Sequence, residues 1–137
     1  MSALARAAAT LPPLLVVDDE ERMRVLLTHT LATRARGTIA AAGADEAVEL
    51  VRALRLAGVV SDYRMAPRDG LELLAEVRAV RPALPFVLVS ASFDAGVPER
   101  GLRAGASLVL EKREVLDDPE LVWRTLERPP ARLAAVR

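Results

Sequence analysis

Eight Asp and eleven Glu balance eighteen Arg and one Lys in a chain of 137 residues, for a formal net charge of zero. That length suits one domain, and a composition 52% hydrophobic and 28% charged belongs to a folded chain, not a disordered one. Balanced charge argues against a nucleic-acid sleeve or a membrane-surface binder, and the lack of cysteine excludes disulfides, thiolate metal sites and cysteine nucleophiles.

The N-terminal MSALARAAATLPP carries no apolar core of the kind a signal peptide needs and reads as a loose tail over residues 1–13. No apolar run approaches the roughly 20 residues that span a bilayer, so a cytoplasmic domain is expected. Leu14-Leu15-Val16-Val17, entered from Pro12-Pro13 and left at Asp18-Asp19, is the short continuous apolar run of a strand buried on both faces. From Glu20 to Thr33 the spacing of Met23, Leu26, Leu27, Thr30 and Leu31 predicts a helix, with Gly37 as its stop. Thr38–Ala42 is a weak second strand. A second helix opens after Gly43 with the stripe Ala47, Leu50, Val51 and Leu54.

Gly58–Ser61 is a third strand, ending at Asp62, and the loop Tyr63–Gly70 follows it. A third helix carries Leu71, Leu74, Val77 and Val80 and stops near Pro82. Pro85–Val89 is the clearest strand and ends at Ser90. A short helix from Pro98 to about Ala104 precedes Gly105, and Leu108-Val109-Leu110 is a fifth strand ending at Lys112. Asp118-Pro119 predicts the start of the last helix, with Asp as cap and Pro in the first turn, and Pro129-Pro130 closes it. Five strands alternating with five helices predict one α/β domain, residues 14–128, with a parallel sheet covered on both sides. Residues 129–137 read as a C-terminal tail.

Open parallel sheets collect function at the carboxyl ends of their strands, beside the point where strand order reverses. The polar residues there are Asp18, Asp19, Asp62, Ser90 and Lys112. With the order 2-1-3-4-5 they converge on one pocket. Carboxylates held about 4 Å apart repel by several kcal/mol, so such a cluster needs a proton or a cation. Hard oxygen ligands without Cys or a suitably placed His favour Mg²⁺. Lys112 is the most informative single residue. It is the only Lys among nineteen basic residues, and it falls where a buried strand meets the carboxylates, where a compact ammonium can pair with an anion. Asp117-Asp118 reads instead as a helix cap, His29 as a solvated residue and Trp123 as a packing residue.

Val16-Val17-Asp18-Asp19-Glu20, Asp62-x-x-Met65, Asp69-Gly70-Leu71, Val89-Ser90-Ala91 and Gly105-Ala106 followed by Lys112 together resemble the receiver domain of bacterial two-component response regulators, from about Leu14 to Arg128. The resemblance implies a flavodoxin-like, doubly wound five-stranded sheet. It implies that Asp62 accepts a phosphoryl group from a phosphohistidine of a sensor histidine kinase or phosphotransfer protein. It implies Mg²⁺ held by Asp18, Asp19, Asp62 and the main-chain carbonyl of Arg64, and phosphoryl oxygens held by Lys112 and Ser90. It also implies that Arg64 and Ser92 tune the lifetime of the phosphoryl group. Such a protein promotes only its own phosphorylation and dephosphorylation, is not otherwise an enzyme, and signals through contact with a downstream protein target. The balanced charge, and an Arg-rich tail without interleaved aromatics, argue against direct binding of nucleic acid or of a membrane, and a homodimer is among the assemblies the resemblance allows.

The chain departs from that pattern at Val109, where an aromatic is usual, at Arg113 in place of a Pro, and at Ala66-Pro67, where the Pro comes one place late. These changes suggest an alternative, a receiver-like interaction module that works without phosphorylation. They also argue against a cis peptide after Lys112. An aspartate-nucleophile phosphatase of another α/β family would want a second Asp two residues after Asp62, where Arg64 stands.

Overall fold

The computed structural model describes residues 11–33 and 36–127; residues 1–10 of the tail expected at 1–13, the tail expected at 129–137, and Arg128 lie outside them. Five strands, β1 (Leu14–Val17), β2 (Thr38–Ala41), β3 (Gly58–Asp62), β4 (Phe86–Ser90) and β5 (Leu108–Glu111), form one sheet in the order β2-β1-β3-β4-β5. Every pairing is parallel, with Val17 beside Ser61 and Asp62 beside Val89 in register.

Alternation along the strands sorts the core into two layers. Leu15, Val17, Val59, Phe86 and Leu88 face helices α2 (Ala44–Ala53), α3 (Gly70–Val80) and α4 (Val97–Arg103). Leu14, Val16, Val60, Val87, Val89 and Leu110 face α1 (Glu21–Leu31), α5 (Lys112–Asp117) and α6 (Pro119–Glu127). All four residues of β1 are fully buried, which is why this strand reads as an unbroken apolar run. Burial of each such side chain is worth about 1.5–3 kcal/mol.

Six helices cover the sheet among the described residues, where five were expected. Helix α5 begins at Lys112 directly from β5, and Asp118 separates it from α6, which opens at Pro119. A residue preceding proline is disfavoured in the helical region, and Asp118 duly sits at φ −143°, ψ 74°. Asp118 stands before the last helix as predicted, with its carboxylate 3.1 Å from Arg124 Nη2. Helix α1 buries Leu27 and Leu31, but Leu26, placed on its apolar stripe from the sequence, is 44% exposed.

Trp123 is the packing residue expected: its buried indole N–H donates to the Leu31 carbonyl at 2.8 Å and ties α6 to the end of α1. At the amino-terminal ends of the strands, Arg78 at the end of α3 donates to the carbonyls of Leu84 (2.6 Å) and Gly105 (2.6 and 3.1 Å). Gly105 has φ 106°, a conformation other residues adopt only with strain.

Helix α3 starts with a capping box. The Asp69 carboxylate accepts from the Glu72 N–H at 2.9 Å, and the Glu72 carboxylate accepts from the Asp69 N–H at 3.2 Å. The next residue, Gly70, donates its N–H to the Tyr63 carbonyl at 2.8 Å. A Cβ at that position would overlap the Asp62 carbonyl oxygen and crowd Leu88 and Tyr63. The missing side chain is what lets α3 begin directly against the end of β3.

Candidate functional site

The ends of β1 and β3 bring three carboxylates together. Oxygens of Asp18, Asp19 and Asp62 lie within 4.8 Å of one another. Asp18 is fully buried, Asp62 is 5% exposed, and Asp19 stands at the exposed lip. Two contacts fix the turn that carries the first pair. Asp18 Oδ1 accepts the Glu20 N–H at 2.9 Å, and Arg24 Nη1 donates to the Asp18 carbonyl at 2.9 Å.

Lys112 reaches the cluster from the first residue of α5. Its Nζ is 3.0 Å from Asp18 Oδ2 and 3.4 Å from Asp62 Oδ2. Burial pulls the ammonium's pKa down, but contacts with and charges on Asp18 and Asp62 outweigh burial and hold it above its ordinary value. For Asp62, burial is the largest influence and raises the pKa from 3.8 to about 6. The negative charge of Asp18 pushes the same way, while Lys112 and the Arg64 N–H oppose it.

The cluster fits a divalent cation. One ammonium faces three carboxylates, the donors are hard oxygens, and the buried Asp18 Oδ2 meets Lys112 as an ion pair but lacks an aligned hydrogen-bond donor. An open cavity of about 380 Å³ adjoins the cluster, lined by Asp19, Tyr63, Arg64, Met65, Ala66 and Asp69.

Ser90 ends β4 and is buried, with its hydroxyl donating to the Ser92 carbonyl at 2.7 Å. The Arg64 guanidinium turns to Asp94 at 3.0 Å. Val109 is half-buried on β5 beneath α4, against Gly101. Arg113 is an exposed residue of α5, and the cis peptide bond found among the described residues is Ala66–Pro67. Glu111 is exposed at the start of α5, where its N–H donates to the Glu114 carboxylate at 3.0 Å. His29 is exposed on α1 away from the acidic cluster.

Two residues that shape the site, Arg24 and Asp94, were not singled out from the sequence, and Gly70 stood out only within the Asp69-Gly70-Leu71 motif. Gly70 reads from the sequence as the end of the Tyr63–Gly70 loop, and its approach to Asp62 depends on how α3 docks. Arg24 and Asp94 act through contacts between segments, and neither carries a local sequence signal.

The family model for the response regulator receiver domain matches residues 14–123. Response regulator MprA of Mycolicibacterium vanbaalenii is 31% identical over 115 residues, covering 84% of this chain and 50% of that protein. Protein PetR of Rhodobacter capsulatus is 36% identical over 107 residues, covering 77% of this chain and 44% of that protein. The chain thus spans half or less of the length of these curated relatives. A solved structure of a response regulator protein from Burkholderia pseudomallei superimposes with a TM-score of 0.75 at 21% identity, over 92% of this chain and 72% of that one. No helix among the described residues is long and apolar enough to cross a membrane. With the sheet order, the acidic strand ends and a family match across most of its length in agreement, the chain belongs to the receiver domains of two-component response regulators.

Proposed function

We propose that this receiver is a phosphoacceptor in a two-component relay, with Asp62 as the residue that carries the phosphoryl group. The observation that carries the reading is the position of Lys112 Nζ, 3.4 Å from Asp62 Oδ2 inside a cluster of three carboxylates from two strand ends. An Asp62 oxygen attacks the phosphorus of a phosphohistidine on a sensor kinase or phosphotransfer protein. A P–O bond forms as the P–N bond breaks, and the imidazole leaves with its electron pair. The product is an acyl phosphate, a labile mixed anhydride suited to a reversible signal.

A Mg²⁺ held by Asp18, Asp19, Asp62 and the Arg64 carbonyl would supply charge neutralisation for the transfer. The protein's own part is positioning and electrostatics. Asp62, with its pKa near 6, is about nine-tenths ionised at neutral pH and able to act as a nucleophile. Lys112, held charged by its carboxylate neighbours, pairs with the incoming phosphoryl oxygens. The Ser90 hydroxyl, with a short rotation away from the Ser92 carbonyl, donates to another. The Burkholderia pseudomallei neighbour is described with a phosphorylated aspartic acid and a calcium ion, which supports chemistry of this kind on this fold. The output is contact with a downstream protein.

Intact-protein mass spectrometry after exposure to acetyl phosphate tests the reading. The expected result is a gain of one phosphoryl group that requires Mg²⁺ and is lost in Asp62→Asn. An unlabelled wild type, or label that survives Asp62→Asn, would favour the phosphorylation-independent interaction module instead.

A further inference from the structure

We propose that Arg64 and Asp94 form a latch across the rim of the acidic site, and that a phosphoryl group on Asp62 opens it by drawing the Arg64 guanidinium away from Asp94. This rests on Asp62 being the phosphoacceptor, and it concerns how the segment after β4 is held and released.

The segment Ala91–Gly96 between β4 and α4 is tied down by three contacts near the site. Ser90 Oγ donates to the Ser92 carbonyl at 2.7 Å. The rings of Phe93 and Tyr63 lie 6.1 Å apart in a tilted arrangement. Arg64 Nη2 bonds Asp94 Oδ1 at 3.0 Å, and the same guanidinium rests over the Tyr63 ring at 5.6 Å. Tyr63 and Arg64 immediately follow the proposed phosphoacceptor. Two of the three contacts therefore join the loop after β3 to the loop after β4, beside the pocket that Tyr63 and Arg64 line.

The ion pair is easily exchanged. Its two side chains are 52% and 66% exposed, and exposed pairs of this kind contribute little and are screened by salt. Arg64 already borders the phosphoryl neighbourhood: it stands two residues after Asp62 and lines the same cavity as Asp19. Asp94 offers one negative charge in solvent. A phosphoryl group on Asp62 brings about −1.5 to −2 charges and three acceptor oxygens to the pocket, and a guanidinium binds such a group through two parallel hydrogen bonds. The better acceptor lies within the pocket that Arg64 already lines.

Loss of Arg64 leaves Asp94 without its partner and removes the guanidinium from the Tyr63 ring against which Phe93 leans. The freed segment ends at Gly96, which sits at φ 85° and, lacking a Cβ, can take other φ values ahead of α4, while Val97 is buried in the core. This route requires no swinging ring at position 109, where the chain has Val. It delivers the change to α4, whose Leu102 is 53% exposed.

Hydrogen exchange of the amides of residues 91–97, with phosphoryl occupancy read by intact mass on the same samples, tests the latch. Wild type, Asp94→Asn and Arg64→Gln are compared before and after acetyl phosphate with Mg²⁺, at equal occupancy. In wild type, exchange is expected to quicken by about two- to fivefold on phosphorylation, the change an exposed ion pair can sustain. Both variants are expected to exchange at the faster rate beforehand and to gain little more. A wild type that takes up the phosphoryl group with exchange unchanged overturns the latch while leaving the acceptor reading intact. So does an Asp94→Asn protein that begins as protected as wild type and quickens with it. A wild type that gains no mass overturns the acceptor reading, and the latch falls with it.

Discussion

The Lys112 ammonium and the Asp18 carboxylate meet at 3.0 Å in a site where neither side chain is more than a tenth exposed. Removing one partner of such a pair strands the other charge away from water, a loss of about 3–5 kcal/mol. Lys112→Ala is therefore expected to lose about 3 kcal/mol or more of stability in metal-free buffer at neutral pH, measured by urea unfolding. Added Mg²⁺ should restore much of it, since a divalent ion supplies the missing positive charge. A variant as stable as wild type without metal would show that the ammonium does not neutralise the cluster.

Asp62 carries a pH signature of opposite sign to that of a surface carboxylate in an ion pair. Its folded pKa, about 6, lies above the ordinary 3.8. The folded state therefore holds the proton more tightly than the unfolded state. The contribution of this group to stability is undiminished below about pH 4, falls as pH rises to about 6, and stays low above that, by about 3 kcal/mol in total. Asp62→Asn removes the penalty. The stability difference between this variant and metal-free wild type should be near zero at about pH 4 and reach about 2–3 kcal/mol in favour of the variant at about pH 7.5. A difference that stays flat across that window would refute the assignment.

Metal removal follows from the same group. Mg²⁺ competes with protons for the Asp62 oxygens, so its stabilising effect should shrink as pH falls below about 6. At a concentration a hundredfold above its dissociation constant, the ion should add about 2.7 kcal/mol at neutral pH. Thermal unfolding with Mg²⁺ and with excess EDTA, at neutral pH and near pH 5, measures both effects. An equal shift at the two pH values would place the ion away from Asp62.

Gly70→Ala tests the seat of α3 against β3. The added methyl would overlap the Asp62 carbonyl oxygen and press on Leu88 and the Tyr63 backbone. Overpacking of this kind costs about 1–3 kcal/mol. Because the displaced atoms belong to Asp62 and its neighbour, acetyl phosphate labelling should slow along with the loss of stability. Full labelling at the wild-type rate in a destabilised Gly70→Ala protein would show that α3 seats the core without setting Asp62.

Sequence patterning carried the sheet well and the surface of the site poorly. The strands were readable because β1, β3 and β4 are buried on both faces and appear as unbroken apolar runs such as Leu14–Val17 and Phe86–Val89. The polar residue that ends each run then marks the rim at Asp18, Asp19, Asp62 and Ser90, whereas Lys112 stands one place beyond Glu111 and was legible as the chain's single Lys. The division of the last helical segment was missed because Lys112–Asp117 has too few residues to establish a period. Leu26 was assigned to the buried side of α1 because hydropathy counts the residue and not the neighbour it would need; Leu27 and Leu31 alone are buried there. The Arg64–Asp94 pair joins two loops thirty residues apart, and only the tertiary placement of β3 beside β4 makes it a contact.

Arg78 clasps Leu84 and Gly105 at the pole opposite the carboxylates. One guanidinium thus rivets together the last turn of a helix and the entrances to the two strands beyond it, and it does so with acceptors that cannot titrate. The domain acquires a stiff floor and an adjustable crown.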